Sequence, residues 1–553
     1  MARQNHKTVT SPAPIGGLNV QDSLVAMPTT DATVLRNFFP QPYGLEIRKG
    51  YQRHSTGLPS TVKSLVPHVT ARAVIDNQMF AFSGNSMYNV TTASNTPPAP
   101  LLTGLSNSVW NYVGMSNASG FNTVCVNGAD DPIWIRDNGT ITRITPAVNP
   151  LDPQAGEIAG VDPKRFVTGT THQKRIWWVE DESTKAWYLD PEAITGQAYL
   201  FDFGSQFRRG GRLLALASWT LDSGVGPDDL LVAISSEGEI ALYSGSDPDS
   251  LATFSLRGVF FTGAPLGNRC LVSMAGDLLV LTQYGLMSMN AAMASSDTVA
   301  VEGNAYLSQK IQYLVSTLAA TLVNKAGWEL LSWPDSNMIL INVPLDTTQA
   351  WENRDASPEA AIMLEDAVGA GQLVQSTITK GWVQWDNMNA YTWTIFEHNI
   401  YFGDYYGNVW MAWTGHSDGA TLDEIGQVIP GEPVSAQCQT SFNFMGSLST
   451  VKHAKLVRPT FVNSVNTPYA IKVNSDFDYD PAVAPGANAY SAESLWDTGK
   501  WDESKWKGSM QTQKLWTAVS GVGNAFALRI AVQSFAPVLW ASYDMMYEDG
   551  TNI

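Results

Sequence analysis

Short runs of alternating apolar and polar residues dominate the chain between residues 62 and 415, separated by turns rich in Gly, Asn and Asp. Residues 78–82 and 86–90 form one such pair of runs, joined by a turn at Gly84. An alternation with a period of two is typical of a strand with one buried face, and a short Gly-containing turn joins two such strands into a hairpin. The pattern therefore predicts a mainly β protein.

Hairpins of this kind recur about seven times, at a spacing of roughly 45 to 60 residues, which is typical of β-propeller blades. A single twisted blade cannot bury both of its faces, whereas blades packed around an axis cover each other. We expect a propeller over residues 62–429, with insertions at residues 191–206, 224–229 and 345–372; unrelated hairpins in β-sandwiches are the alternative. The other runs are residues 123–126 with 133–135, 175–179 with 186–189, 230–234 with 240–245, 278–282 with 286–289, 338–343, and 399–402 with 408–412.

One segment has a helical period instead. Residues 304–325 predict an amphipathic helix that covers the side of a blade or, alternatively, docks a partner. Its apolar residues at spacings of three and four are Leu307, Ile311, Leu314, Val315, Leu318 and Leu322.

The two ends of the chain differ from this middle part. Residues 1–61 are rich in Pro and Gly, which favours an extended arm that docks on something, with one short helix at residues 31–37. Residues 430–553 return to alternating runs and predict a β-sandwich-like domain. Its expected strands are residues 434–444, 454–462, 469–477, 525–533 and 538–545.

Composition narrows the function classes. Of 553 residues, 44% are hydrophobic and only 15% charged, which excludes disorder for most of the chain and disfavours a helical bundle. The net charge of −18, without a large Lys/Arg cluster, argues against a protein that grips nucleic acid. Three distant cysteines predict buried free thiols, and neither a secretory leader nor a membrane span is expected, so synthesis in a reducing cytoplasm follows.

The motifs of known catalytic sites are missing from the sequence. None of the seven His residues forms a zinc motif, and phosphate-binding loops and nucleophile elbows are lacking. Asp476, Asp478 and Asp480 resemble the start of a calcium loop, but Pro481 replaces its glycine, which favours a solvated strand face. We therefore expect no enzyme, no cofactor and no metal, although a glycosidase carboxylate pair is defined by spatial distance and leaves no mark in the sequence.

The arm carries a more specific signal. Residues 11–24 (SPAPIGGLNVQDSL), 35–40 (LRNFFP) and 48–51 (RKGY) resemble the N-terminal signature of the tail nozzle, or tail tubular protein B-like, family of short-tailed bacteriophages (podoviruses). Residues 307–311 and 438–462 agree with that resemblance. Together these segments make up about a tenth of the chain.

The resemblance implies a structural virion protein: a hexameric ring, the tail nozzle, through which packaged DNA is retained and then ejected without sequence-specific binding. It implies a head–tail adaptor ring above, tail fibres or tailspikes outside, and a location in the phage tail after synthesis in the bacterial cytoplasm. The expected docking residues are Ile15, Gly16, Gly17, Leu18, Asn37, Phe38, Phe39 and Pro40. The expected channel-facing carboxylates are Asp130, Asp131, Asp228, Asp229 and Asp335.

Two other functions remain open at this point. A glycan-binding or glycan-cleaving propeller would use Trp178, Trp187, Trp410 and Trp413 as stacking platforms for sugar rings. A plain protein-interaction propeller is the third interpretation. The conduit predicts a ring with an open axial passage and no turnover, whereas the glycan protein predicts a sugar-occupied cleft with a carboxylate pair nearby.

Overall fold

Antiparallel strands make up most of the protein. The computed structural model describes residues 6–70, 76–222, 227–250, 253–294, 306–323, 325–345, 371–423, 427–483, 485–488 and 510–550. The N-terminal arm holds strands β1 His6–Pro12, β2 Gly17–Leu18, β3 Asp31–Arg36, β4 Phe38–Gln41, β5 Gly44–Ile47 and β6 Tyr51–Ser55.

Seven consecutive meanders, called blades 1 to 7, follow the arm. The first two are β7 Val62–His68, β8 Gln78–Ser83, β9 Ser86–Asn89 and β10 Pro100–Thr103 (blade 1), and β11 Asn111–Asn117, β12 Gly120–Val126, β13 Ile133–Ile135 and β14 Ile141–Arg143 (blade 2). Between blades 2 and 3 lie β15 Thr145–Pro146, β16 Glu157–Ala159 and a 3₁₀ turn Pro163–Arg165. Blade 3 is β17 Phe166–His172, β18 Arg175–Glu180, β19 Lys185–Tyr188 and β21 Tyr199–Asp202, with the short β20 Gly196–Gln197 between β19 and β21. Blade 4 is β22 Leu213–Asp222, β23 Pro227–Ser235, β24 Glu239–Ser244 and β25 Ser255–Phe261.

The later blades contain the helices. Blade 5 is β26 Leu271–Met274, β27 Asp277–Thr282 and β28 Gly285–Ser288, followed by α1 Met289–Ala294, a 3₁₀ turn Gln309–Ile311 and α2 Gln312–Leu322. Blade 6 is β29 Glu329–Trp333, a 3₁₀ turn Pro334–Ser336, β30 Met338–Asn342, β31 Gln372–Ser376 and β32 Trp382–Trp385. Blade 7 begins with β33 Ala390–Phe396, β34 Asn399–Asp404 and β35 Val409–Ala412.

The blades close into a seven-bladed propeller. The first strand of each blade contacts the first strand of the next, and β33 of blade 7 contacts β7 of blade 1. Buried apolar clusters fill the spaces between successive blades, as where Phe80 and Trp110 join blades 1 and 2. Each blade thus buries its faces against its neighbours, which is the physical reason for the ring.

The propeller is closed by a strand from the arm. β6 pairs antiparallel with β35 and supplies the fourth strand of blade 7. A strand from before blade 1 therefore completes the last blade, and backbone hydrogen bonds hold the ring shut.

The remaining strands form a β-sandwich with the arm. They are β36 Ser417–Leu422, β37 Val428–Ile429, β38 Glu432–Thr440, β39 Lys452–Asn463, β40 Tyr469–Ser475, β41 Gln511–Lys514, β42 Thr517–Gly523, β43 Phe526–Ser534 and β44 Val538–Asp549. One sheet joins β3, β38, β43 and β40; the other joins β1, β4, β5, β44, β39, β41 and β42. Phe461 and Tyr469 meet between the sheets with ring centroids 5.0 Å apart. β3 also bridges to β32, and β36 links β38 to β6, so the sandwich is continuous with blades 6 and 7.

Two helix predictions need correction. Residues 31–37 are not helical, because β3 lies between β2 and β38 and its first five side chains are buried, so long-range pairing overrides the local pattern. The helix expected at residues 304–325 is shorter: α2 begins at Gln312, after the 3₁₀ turn, and buries Leu314, Val315, Leu318 and Leu322. Residues 304, 305 and 324 lie outside the described part.

Candidate functional site

The meander topology gives the propeller two distinct faces. We call the upper face the one at which the first strand of each blade begins; it also carries the loops between second and third strands. The lower face carries the loops between first and second strands and between third and fourth strands. Every loop residue of the propeller can therefore be assigned to one face or the other.

The expected channel carboxylates lie on both faces and are not brought together. Asp130 and Asp131 lie on the upper face, in the loop between β12 and β13. Asp335 lies on the lower face, in the turn between β29 and β30, and Asp228 and Asp229 lie at the lower end of β23. A single channel wall built from all five would have to include both faces of the propeller.

Most of the expected channel carboxylates take part in contacts within the chain, and Asp130 holds a loop in place. Asp130 accepts hydrogen bonds from Ser106 N and Oγ, both 2.8 Å, and from Asn127 Nδ2 at 2.7 Å. Burial raises the pKa of Asp130, but these hydrogen bonds outweigh it and leave the pKa below its ordinary value. The loop between β12 and β13 is thereby fixed by an ionised carboxylate.

The other acidic side chains have similar local partners. Asp131 lies 3.6 Å from Lys164 Nζ. Asp229 accepts a hydrogen bond from Thr220 Oγ1 at 2.7 Å, and Asp335 lies 2.9 Å from His398 Nδ1. Their assignment to a channel stays a prediction.

An arginine closes the upper end of the propeller axis. Arg269, just before β26 of blade 5, donates to Ser64 Oγ of blade 1 at 2.7 Å, to Trp110 O before blade 2 at 2.8 Å and to Thr392 Oγ1 of blade 7 at 3.0 Å. It also lies 3.8 Å from Glu329 Oε1 of blade 6. A side chain that reaches four other blades at once must lie on the axis.

The Arg269–Glu329 pair is partly shielded from solvent, with side-chain exposures of 17% and 13%. Burial raises the pKa of Glu329 above its ordinary value, and the Arg269 guanidinium opposes that rise. Because this pair and its hydrogen bonds fill the axis, a nucleic acid strand cannot thread the propeller of one chain. Any passage for DNA has to lie between chains.

The first group of expected docking residues packs against blade 6. Gly17 has φ +87°, and a Cβ there would lie 2.4 Å from Trp382 N, so only glycine fits this approach of two backbones. Leu18 is buried, while Ile15 and Gly16 are half-buried.

A polar contact between the buried Asp31 and the partly exposed Lys310 joins this part of the arm to the turn before α2. Lys310 Nζ donates to Asp31 Oδ1 at 2.8 Å and to Gly16 O at 3.0 Å, and Asn19 Nδ2 donates to Asp31 Oδ2 at 2.8 Å. Two segments that the sequence related only through a family resemblance are thus in direct contact.

The second group of expected docking residues surrounds a buried ion pair. Arg48 is completely buried and donates two hydrogen bonds of 2.7 Å to the carboxylate of Asp418; its Nε donates to Asn37 Oδ1 at 2.8 Å. Burial alone lowers the pKa of Arg48, but the paired carboxylate outweighs it, so the pKa lies above its ordinary value. Asn37 Nδ2 also donates to Ser435 O of the sandwich at 2.7 Å and to the carboxylate of Asp386, just after β32 of blade 6, which connects arm, propeller and sandwich.

Phe38, Phe39 and Pro40 are likewise buried within the chain. The arm residues available to a partner are exposed ones nearby, such as Val25 at 57% and Tyr43 at 58%. Docking through the arm stays a prediction, and these exposed side chains are where a partner would touch it.

The four tryptophans considered as sugar platforms fill spaces in the fold. Trp178 is 1% exposed, and Trp413 stacks on Trp385 with ring centroids 5.3 Å apart. The indole N–H groups of Trp187 and Trp410 each donate to a carboxylate at 2.8 Å. Trp178 therefore has no open ring face for sugar stacking, Trp385 covers one face of Trp413, and Trp187 and Trp410 are half-buried.

A polar cleft of about 350 Å³ opens on the lower face between blades 1 and 2. Its lining consists of amide, carboxylate and hydroxyl side chains, which suit a small polar molecule. The lining residues are Asp76, Asn77, Gln78, Asn89, Thr91, Thr92, Asp137, Asn138 and Gly139.

The sequence pointed neither to this cleft nor to Arg269, because their partners are brought together from different blades. Across the described ranges, we find no group of three His, Cys, Asp or Glu side chains arranged to hold a metal ion. Likewise, none of the described helices has the length and apolar character to cross a membrane.

Comparison with known proteins supplies no family. No protein-family model and no curated protein matches the chain. Among solved structures, the chain is similar to YCF48 bound to D1 peptide, at 10% identity and a TM-score of 0.36 over 66% of this chain and 95% of that one. It is similar to the β-propeller domain of Cps50 (Swd1) from Myceliophteria thermophila, at 11% identity and a TM-score of 0.36 over 64% and 99%.

A third similar structure is the exo-β-1,3-galactanase of Phanerochaete chrysosporium with galactose, at 9% identity and a TM-score of 0.25 over 78% of this chain and 95% of that one. At these values the similarities carry no argument about function. The chain is a mainly β protein whose propeller assignment stands on its own blade topology.

Proposed function

We propose that this protein is a non-catalytic structural subunit of a ring, the tail nozzle of a short-tailed bacteriophage, through which packaged DNA is retained and then ejected. The observation that carries the proposal is the position of the arm. The segments that resemble the nozzle family's signature hold propeller and sandwich together, through Arg48 with Asp418 and through Lys310 with Asp31. This position supports a structural role for the signature segments.

The charge of the chain supports a passage for DNA between subunits. At −18 per chain, a ring of six would carry a formal charge of about −108, and carboxylates facing a lumen would repel the phosphate backbone. Since Arg269 occupies the propeller axis, the lumen in this proposal is the hole enclosed by neighbouring chains.

Ring formation also needs contact surfaces between copies. Several large apolar side chains are exposed on the sandwich and its loops, as contact surfaces between copies require. They are Leu448 at 65%, Val483 at 85%, Leu515 at 62% and Val522 at 58%. The adaptor ring above and the fibres or tailspikes outside are the further partners in this proposal.

Electron microscopy of the virion tail tests the proposal. Negative-stain images of the protein mixed with tail components should show a six-fold ring of roughly 360 kDa, and antibody against the chain should label the tail axis. A monomer that never assembles with tail components, together with an unlabelled tail, would contradict it.

A glycan-binding protein is the second candidate, and the polar cleft on the lower face is the observation that favours it. Its amide and carboxylate groups match the hydrogen-bonding needs of a sugar, although none of the four tryptophans lines it. A glycan array probed with the purified chain and with its N77A/Q78A variant tests this function. Binding that disappears in the variant, without ring formation, would favour the glycan protein over the nozzle.

A further inference from the structure

The one dense group of cationic residues in this acidic chain lies on the upper face. Residues 208–212 have the sequence RRGGR and connect β21 of blade 3 to β22 of blade 4; we call them the basic loop. All five residues are exposed. Three guanidinium groups within five residues are unusual in a chain with only 33 Lys and Arg against 51 Asp and Glu.

A buried carboxylate fixes the shape of the basic loop. Glu239 is 0% exposed, and its Oε1 and Oε2 accept the backbone N–H groups of Arg208 and Arg209, both at 2.8 Å. An ionised carboxylate in the interior is costly unless such charge-assisted hydrogen bonds compensate it. The loop is therefore held by a specific internal contact.

The outer side of the loop is open to an anion. Gly210 and Gly211 have φ +79° and +85°, and across the described residues their N–H groups have no protein acceptor. The Arg209 guanidinium lies 4.6 Å from the centre of the Phe261 ring, which orients its planar fork. Two N–H groups in the same loop as one oriented and two exposed guanidinium groups are donors of the kind that phosphate oxygens accept.

Three carboxylates lie near the loop: Glu239 beneath it, Glu237 beside Gly211, where a Cβ would lie 2.8 Å from Glu237 Cγ, and Glu182 at the Arg212 end. Arg212 NH1 lies 3.9 Å from Glu182 Oε1, and both side chains are at least half exposed, so this pair is weak. Glu239 contacts only the backbone of Arg208 and Arg209; among the described residues, no carboxylate oxygen lies within 4.0 Å of their guanidinium groups. The guanidinium groups are thus available to an external ligand.

We propose that the basic loop is a phosphate-binding contact for the backbone of double-stranded DNA; this inference rests on the proposed conduit function. Three cations neutralise at most three phosphates, so the binding constant should fall with salt with a logarithmic slope of about −2.7. Such a contact is weak in one chain and is repeated around a ring. It holds DNA in place and still lets the DNA slide, which suits a conduit.

Duplex binding by the full chain tests the inference. Fluorescence anisotropy with a random duplex of about 30 base pairs, between about 20 and 100 mM salt, gives both affinity and slope. We expect the R208Q/R209Q/R212Q variant to lose at least about tenfold in affinity at the lowest salt, with a slope near zero. Its thermal unfolding should match that of the unmodified chain, because the guanidinium groups lie outside the core.

A matched control separates the loop from net charge. The K7Q/K174Q/K472Q variant also loses three positive charges, but from exposed sites away from the upper face. It should keep the duplex affinity and the salt slope of the unmodified chain. An equal loss in both variants, or no duplex binding by the unmodified chain at the lowest salt, would overturn the inference. Mass photometry of the same samples, mixed with tail components, measures ring assembly and so tests the conduit function separately.

Discussion

The buried ion pair between Arg48 and Asp418 makes a quantitative prediction about how the arm holds the protein together. Arg48 is 0% and Asp418 is 2% exposed, and two hydrogen bonds of 2.7 Å connect them. Replacing Asp418 by Asn leaves a buried guanidinium without its counter-charge, which costs about 3–5 kcal/mol. The R48M/D418N variant, which removes both charges, should recover about half of that loss or more.

Amide hydrogen exchange is the appropriate assay, because a protein of several units does not unfold in one step. Arg48 lies between β5 and β6, and Asp418 lies in β36, which pairs with the start of β38. The amides of β6, β36 and the start of β38 should therefore lose protection by roughly a hundred- to several-thousand-fold in D418N. The matched control is D480N, which breaks the exposed Lys472–Asp480 pair and should change protection by less than about fivefold. A loss below about tenfold in D418N, or a double variant less protected than D418N, would refute the reasoning.

Three further predictions concern the axis, the arm and pH. R269M should destabilise the propeller by about 3–5 kcal/mol, since it leaves the largely shielded Glu329 carboxylate without its cation and removes the hydrogen bonds to blades 1, 2 and 7. R257M, on an exposed strand, should cost less than about 0.5 kcal/mol. Limited proteolysis of the blades checks both variants, and equal resistance would contradict the axial role. G17A should lower the free energy of unfolding by at least about 2 kcal/mol more than G104A does. Both glycines have positive φ, but only at Gly17 would a Cβ lie 2.4 Å from a backbone atom. Thermal unfolding compares the two variants, and equal melting temperatures would contradict the prediction. Burial lowers the pKa of His172, so below about pH 6.5 the unfolded chain binds a proton at this residue more readily than the folded chain does, and stability is lost as the pH falls. H172Q should make this loss shallower by up to about 1.4 kcal/mol per pH unit. Denaturant unfolding between about pH 7 and 5 measures the slope, and an unchanged slope would contradict the prediction.

Local pattern was enough to predict the hairpins. The run at residues 78–82 and its partner at 86–90 correspond to β8 and β9, since a two-residue period and a Gly turn act over a few residues only. The blade number could not be predicted in the same way. The fourth strand of blade 3, β21, lies in a segment interpreted as an insertion, and that of blade 7 comes from the arm.

Long-range contacts explain the remaining differences. Val34 and Leu35 fit a helix as well as a strand, and pairing with Gln439 and Cys438, some 400 residues later, decides in favour of the strand. Arg269 has no local signal at all, because its partners come from the starts of strands in other blades. The basic loop, by contrast, is visible in the sequence as three arginines in five residues, but its anchoring by Glu239 appears only in three dimensions.

The pairing of β1 with β44 places the earliest and latest strands of the chain side by side, with His6 opposite Glu548. During synthesis, β1, β4 and β5 must wait for almost the whole chain before their sheet can form, and β6 must wait for blade 7. Contacts that distant in sequence form slowly, and until they form, the apolar faces of the arm are open to the wrong partners. A chain cut before β44 should therefore leave β1, β5 and β39 without their partner strand and should aggregate.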